Sequence, residues 1–188
     1  MSDIIHFSTD GWYARRAGAF TDENVARIAD AAGRCWQEEA PGSRVYVGYD
    51  AREGAASAAE LAAGVLSIRG LRVLLASRPL PTAAVARAMA KDAGATGCLV
   101  VTGSSYPEGY LGIKLRAARH GDDLRGFLDN VEQSMEPECD MERGSVESID
   151  MLEAYIEEIT SWFGFAGRES VRAVVYDSMY GVGSACVP

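Results

Sequence analysis

Short apolar segments separated by helix-length stretches constrain the fold of this chain more than any other feature of its sequence. Val45 to Tyr49, Leu71 to Leu75 and Cys98 to Val101 are apolar runs of strand length. Between them lie Ala55 to Ile68, which is Ala-rich and stopped by Gly70, and Ala83 to Lys91, which Thr82 can cap and Gly94 stops. A strand that is apolar on both faces is covered on both faces, so this alternation predicts a layered α/β sheet rather than a two-sided antiparallel one. A further helix is predicted after Thr21, a good N-cap, with Asp22 and Glu23 where the helix dipole favours acids. Val25, Ile28, Ala29, Ala32, Cys35 and Trp36 give it one apolar face, and Pro41-Gly42 ends it.

Outside this alternation the reading continues at both ends. Ile4 to Phe7 reads as a short strand followed by a turn at Ser8-Thr9-Asp10-Gly11. Leu111 to Leu115 reads as a strand returning from the preceding loop, which makes the sheet mixed. Asp122 to Met135 and Ser148 to Phe163 are predicted helices, the second with Ile149, Leu152, Ile156, Ile159 and Phe163 in one stripe. The polar, acidic segment between them, Glu136 to Glu147, reads as a loop, and Arg172 to Tyr176 reads as the start of another strand. The expected fold is a three-layer α/β/α sandwich with a mixed, mostly parallel sheet. The expected division is a first domain over residues 1–165 and the truncated start of a second over residues 166–188.

Composition narrows the function. The 188 residues are 48% hydrophobic, enough for a sizeable core. Lys and Arg number 18 against 27 Asp and Glu, a net charge of −9 without a basic run, which argues against nucleic acid and anionic membranes as partners. No apolar run approaches a membrane span and the N-terminus lacks a signal-like core, so the expected compartment is the cytoplasm. Cys35, Cys98, Cys139 and Cys186 form no metal-binding spacing, and His6 and His120 are isolated.

Chemistry concentrates after the run Cys98 to Val101. There the chain reads Thr102-Gly103-Ser104-Ser105-Tyr106-Pro107, and Lys114 follows in Gly112-Ile113-Lys114. A loop at the end of a strand in an α/β sheet is where such folds place ligands. Gly103 allows close approach to the backbone, and loop N–H groups can hold an anion. The plainer alternative is an ordinary turn, since Gly, Ser and Pro all favour turns. Arg52 likewise reads either as a cleft residue or as a surface arginine paired with Asp50 or Glu53.

Several segments, in order, resemble the α-D-phosphohexomutases, the phosphoglucomutase and phosphomannomutase family. Thr102, Ser104 and Pro107 fit that family's Thr-Ala-Ser-His-Asn-Pro loop, and Gly112-Ile113-Lys114 its Gly-Ile-Lys. Phe7-Ser8-Thr9-Asp10-Gly11-Trp12 is similar to Phe-Gly-Thr-Asp-Gly-Trp, and Val47-Gly48-Tyr49-Asp50-Ala51-Arg52 to Val-Gly-Tyr-Asp-Thr-Arg. Arg78-Pro79-Leu80-Pro81-Thr82 and the segment from Val174 to Gly183 also resemble family segments, so the likeness covers nearly the whole chain.

The resemblance implies a phosphoserine at Ser104 and a proton-transfer role for Lys114. It implies substrate or phosphate contacts at Arg52, Asp10 and Ser105. It implies Mg2+ with the Ser104 phosphate as one ligand, the other ligands and domains 2–4 being absent from this chain, so that the chain alone is not expected to hold the metal. The implied substrate is a hexose phosphate or hexose bisphosphate, turned over by intramolecular phosphoryl transfer, and the chain by itself is expected to be an incomplete catalyst. The departures are Tyr13-Ala14 in place of the family's Arg-Gly, Ser8 in place of Gly, and Ser105 and Tyr106 in place of His and Asn. They favour an alternative in which the domain is non-catalytic and binds a phosphosugar or a protein partner.

Overall fold

The computed structural model describes residues 5–9, 11–119, 124–136, 144–163 and 175–187. Six strands form one sheet in the order β1-β5-β4-β2-β3-β6: β1 Gly11–Arg15, β2 Arg44–Tyr49, β3 Arg72–Ala76, β4 Ala95–Val101, β5 Tyr110–Ala117 and β6 Glu147–Ile149. The β4–β2, β2–β3 and β3–β6 pairs are parallel, and β5 runs antiparallel to both β4 and β1. The sheet is therefore mixed and mostly parallel, as the alternation predicts.

Two separate cores cover its faces. Val45, Val47, Leu99 and Val101 point to one side, where α1 (Asp22–Glu39), α2 (Ala55–Ile68) and α4 (Leu124–Gln133) pack. Tyr46, Cys98 and Val100 point to the other, against α3 (Thr82–Lys91) and α5 (Leu152–Phe163). Residues adjacent along a strand serve opposite layers because the side-chain period of a strand is two. The order β4-β2-β3 explains why α2 and α3 lie on opposite faces. The chain steps from β2 outward to β3, then back across β2 to β4, and right-handed crossovers in opposite directions need opposite faces. Gly48 lets α3 sit close on β2, because a Cβ there would run into the Val85 side chain. Burial pushes the Cys98 thiol up to about 12, as fits a small core residue with no exposed reactive role.

Helix α1 starts as expected, with the Thr21 side chain accepting from the Asn24 N–H at 3.2 Å. Gly70 closes α2 in the left-handed region. The Leu111 to Leu115 strand is present and extends to Tyr110–Ala117.

Other boundaries move. Residues 5–8 form no strand, and the first strand is Gly11–Arg15 instead, although Ile5 and Phe7 are buried in the larger core. Hydrophobicity at Ile5 and Phe7 reports packing, whereas the ladder with β5 starts only where Gly11 meets Lys114. Thr82 does not cap α3; Pro81 occupies the N-cap position and Thr82 lies inside the helix. The helix predicted from Ser148 begins at Leu152, because Glu147–Ile149 adds a parallel strand to the edge at β3. Leu152 and Ile156 still pack into the second core, so the stripe faces the sheet over its first turns. Val175 and Tyr176 lie in no strand; residues 171–174, 120–123 and most of the segment from 136 to 147 fall outside the described residues. Among the described residues no helix is long and apolar enough to cross a membrane.

Helix α5 is tied to α3 through Glu158, which pairs with Arg87 and Lys91. These two cations hold the Glu158 carboxyl down at about 2, the hydrogen bond from Arg87 being the larger cause.

Candidate active site

Strands β1, β2, β3 and β4 all point their C-terminal ends to one edge of the sheet, and the segments leaving them meet there. The loop of residues 102–109 leaves β4 and returns as β5, with the Thr102 N–H still donating to the Gly112 carbonyl at 3.0 Å. Asp50 follows the neighbouring strand β2, its N–H donating to the Val101 carbonyl. Its carboxylate then holds the start of the loop. Oδ2 accepts from the Thr102 hydroxyl at 2.8 Å and from the Gly103 N–H at 3.0 Å, while Oδ1 accepts from the Arg52 N–H at 2.9 Å. The Thr102 hydroxyl in turn accepts the Ser104 N–H at 2.9 Å.

Arg52 holds the rest of the loop. Its Nη1 donates to the carbonyls of Pro107 at 2.9 Å and Tyr110 at 3.3 Å, and its Nη2 to those of Ser104 at 3.0 Å and Tyr106 at 2.7 Å. Its Nε faces Asp50 Oδ2 at 3.6 Å. A guanidinium has five N–H donors, so both amino groups are engaged with loop carbonyls. Both sequence-level readings of Arg52 meet here, since it pairs with Asp50 and also lines the cleft, while Glu53 pairs with Arg16 instead. Gly103 is the residue that lets the guanidinium in, because a Cβ at that position would overlap it.

An aromatic ladder braces the outer side. Tyr106 stacks on Tyr13 with ring centroids 4.7 Å apart and on Tyr110 at 5.4 Å. Arg15 lies over the Tyr110 ring and donates to its hydroxyl at 3.0 Å. Tyr13 and Tyr106, which read as two separate departures from the family pattern, are therefore one contact.

Within this frame Ser104 is exposed and has φ of 49°, in the left-handed region that a non-glycine residue enters only when its surroundings hold it there. It lines a cleft of about 660 Å³ together with Arg16, Asp50, Arg52, Glu53 and Glu108, with Pro81 and Thr82 at the start of α3, and with residues 179–182. Helices α2 and α3 both begin at this edge. Neither N-terminus has a side-chain cap or an acidic residue in its first turn. By contrast α1 has Thr21, Asp22 and Glu23, and α5 has Glu153 with Asp150 accepting the Leu152 N–H. The first turns of α2 and α3 thus leave backbone N–H groups without a capping side chain at the edge where Ser104 stands, and Glu53, just before the N-cap of α2, is engaged by Arg16.

The remaining sequence-level candidates fall around this cleft. Ser105 is exposed on the same loop. Lys114 is half-buried on β5, opposite Val100 and Gly11, below the loop rather than among the residues that line the cleft. Asp10 lies outside the described residues. Asp50 and Arg16 are the residues that sequence reasoning undervalued. The signal for Asp50 was its place at the end of a central apolar strand; Arg16 was legible only as one of two arginines that closely follow Tyr13-Ala14, and the pairing of β1 with β5 is what brings it to the loop.

Comparison with known proteins places the domain in a family. The family profile for phosphoglucomutase/phosphomannomutase, alpha/beta/alpha domain I, matches residues 5–138. A phosphoglucosamine mutase of Methylorubrum populi is 35% identical over 184 residues, covering 93% of this chain and 39% of that relative. A phosphoglucomutase of Staphylococcus haemolyticus is 23% identical over 191 residues, covering 95% of this chain and 34% of that relative. The solved structure of a Thermus thermophilus protein, provisionally named a phosphomannomutase, superimposes with a TM-score of 0.79 at 33% identity, over 86% of this chain and 37% of that one. The chain thus spans about two fifths of the length of the curated relatives it matches.

Proposed function

Because the chain belongs to the phosphoglucomutase/phosphomannomutase family, whose α/β/α domain I it contains, we propose that Ser104 carries the phosphoryl group in an intramolecular phosphoryl transfer on a hexose phosphate. The observation that supports this most is the way the loop is built. An exposed serine is held in left-handed backbone at the C-terminal end of a central strand, its N–H fixed through Thr102 to Asp50 and its carbonyl through Arg52. A nucleophile so fixed loses little freedom on reaching the reactive geometry.

In the forward step the bond from phosphorus to Ser104 Oγ breaks and a bond to a sugar hydroxyl oxygen forms, the sugar hydroxyl losing a proton and Ser104 Oγ gaining one. The reverse step returns phosphate from the other sugar position to Ser104. In this reading Lys114 takes and returns the proton, Asp10 and Ser105 contact phosphate or sugar, and Arg52 acts on phosphate through the loop it holds. The coupled change at Tyr13 and Tyr106 keeps the loop braced, which favours a working site over a degenerate one.

Magnesium would supply charge neutralisation at the phosphate. Among the described residues no three His, Cys, Asp or Glu side chains gather as a metal site. The ion's ligands besides the Ser104 phosphate would come from outside the described residues. Residues 166–188 as the opening of a second domain, a cytoplasmic location, and further domains that complete the substrate site belong to the same proposal. The 188-residue chain alone is expected not to interconvert hexose 1- and 6-phosphates.

The test is phosphate mapping. A protein containing this domain together with the regions its relatives possess, incubated with a hexose bisphosphate, should yield a peptide phosphorylated on Ser104, and Ser104→Ala should abolish turnover. Phosphate on Ser105 with Ser104→Ala still active would overturn the assignment. An active protein without phosphoserine would overturn the mechanism.

A further inference from the structure

We propose that Arg16 is the cation that receives the phosphate of Ser104, giving up its partner Glu53 to do so. This rests on the reading of Ser104 as the phosphoryl carrier.

Among the described residues two cations line the cleft, Arg16 and Arg52, together with the acidic residues Asp50, Glu53 and Glu108 and with Tyr110 and Tyr180. A phosphoserine brings close to two further negative charges and needs a cation that can turn towards it. Arg52 cannot turn without releasing the carbonyls of Ser104, Tyr106, Pro107 and Tyr110, which means dismantling the loop that presents the serine.

Arg16 is placed differently. Its backbone N–H donates to the Gly109 carbonyl at 2.8 Å, so its main chain is fixed to the returning end of the serine loop. Its side chain runs past Gly54 at the start of α2, with Nε 3.5 Å from where a Cβ on Gly54 would lie. Its Nη1 donates to Glu53 at 2.8 Å, and that carboxylate is 84% exposed. A pair this open to water is weak and screened, and exchanging it for a dianion is electrostatically downhill. Glu53 returns to solvent on release. Arg15 is adjacent in sequence but is engaged by Tyr110 and does not line this cleft.

The experiment reads the phosphate itself. Phosphoserine is installed at position 104 of this chain during translation, and its second ionisation is followed by phosphorus NMR. Arg16→Ala should raise that pKa by about half a unit or more, because the dianion loses its cation. Arg16→Lys should raise it less, and Glu53→Gln should lower it by releasing Arg16. Arg15→Ala should leave it in place. An Arg16→Ala value equal to that of the parent chain, or an equal shift from Arg15→Ala, would overturn the proposal. Circular dichroism establishes that each variant is folded. Arg16→Gln keeps an extended polar side chain without the charge, so it decides the matter even if Arg16→Ala does not fold: a raised pKa supports the exchange and an unchanged one overturns it. Because the phosphate is installed and not transferred, a failure of Ser104 to accept phosphate from a bisphosphate would refute the function without touching this result.

Discussion

Strand β4 and the loop that follows it are consecutive in sequence and held by different physics. Leu99 and Val101 are fully buried in one core, Cys98 and Val100 in the other. The next residues meet almost no apolar packing. They are fixed by one carboxylate, one guanidinium and a stack of three tyrosines. The strand therefore carries stability that is shared with the whole domain, while the loop carries order that is local. Directional contacts suit a site, because they define one geometry, and they leave the serine exposed.

The comparison can be broken most forcefully from the strand. Leu99→Ala removes a fully buried side chain from the larger core and should cost about 2–5 kcal/mol of global stability, read from the urea midpoint. Arg52→Ala should cost less, about 1–3 kcal/mol, since four loop carbonyls lose a charged donor but regain water. Its larger effect should be local, with fast amide exchange confined to residues 103–107 and slow exchange kept in β4. If Arg52→Ala instead unfolded the domain as thoroughly as Leu99→Ala, the division between strand and loop would be wrong.

Ser104→Gly sharpens the same point with the opposite sign. Glycine accepts a φ of 49° at no steric cost, so the variant should be more stable by about 0.5–1 kcal/mol while losing the hydroxyl. Greater stability with no capacity to carry phosphate would show that strain is stored at the serine; an unchanged midpoint would show that it is not.

Tyr13 and Tyr106 should behave as one unit. Their alanine variants should show a coupling energy of about 0.5–1 kcal/mol in a double-mutant cycle, and additive effects would mean the stack does not brace the loop.

The smallest effect is expected furthest from the loop, at α5. Glu158 has a folded pKa depressed to about 2 from an unfolded value near 4.5. Its contribution is therefore complete above pH 4.5 and is lost as pH falls through about 2. Trp162 stacks with Arg87, the partner of Glu158, so its fluorescence should report the release in that acid window. Glu158→Gln should remove the acid-dependent change.

The sequence by itself determined the layers, and the reason is that they rest on local repetition. Apolar runs at Val45 to Tyr49 and Cys98 to Val101 can only be strands covered on both sides, and Thr21 or Gly70 mark helix ends through contacts a few residues away. It also located the serine loop, because Gly, Ser and Pro after an apolar run are legible without a partner. Edges were less legible. Ile5 and Phe7 are as apolar as a strand yet form none, and the strand Glu147–Ile149 spans the end of a predicted loop and the start of a predicted helix, because strand pairing depends on what lies alongside rather than on the segment itself. The site's wiring was decided by the tertiary structure alone. Asp50 reaches Thr102 and Arg52 reaches Ser104 across a separation of 52 residues in each case, and Arg16 reaches the loop only through the pairing of β1 with β5. No local pattern encodes such contacts; they exist because parallel strands bring their C-terminal ends to one edge, where distant polar side chains must satisfy one another.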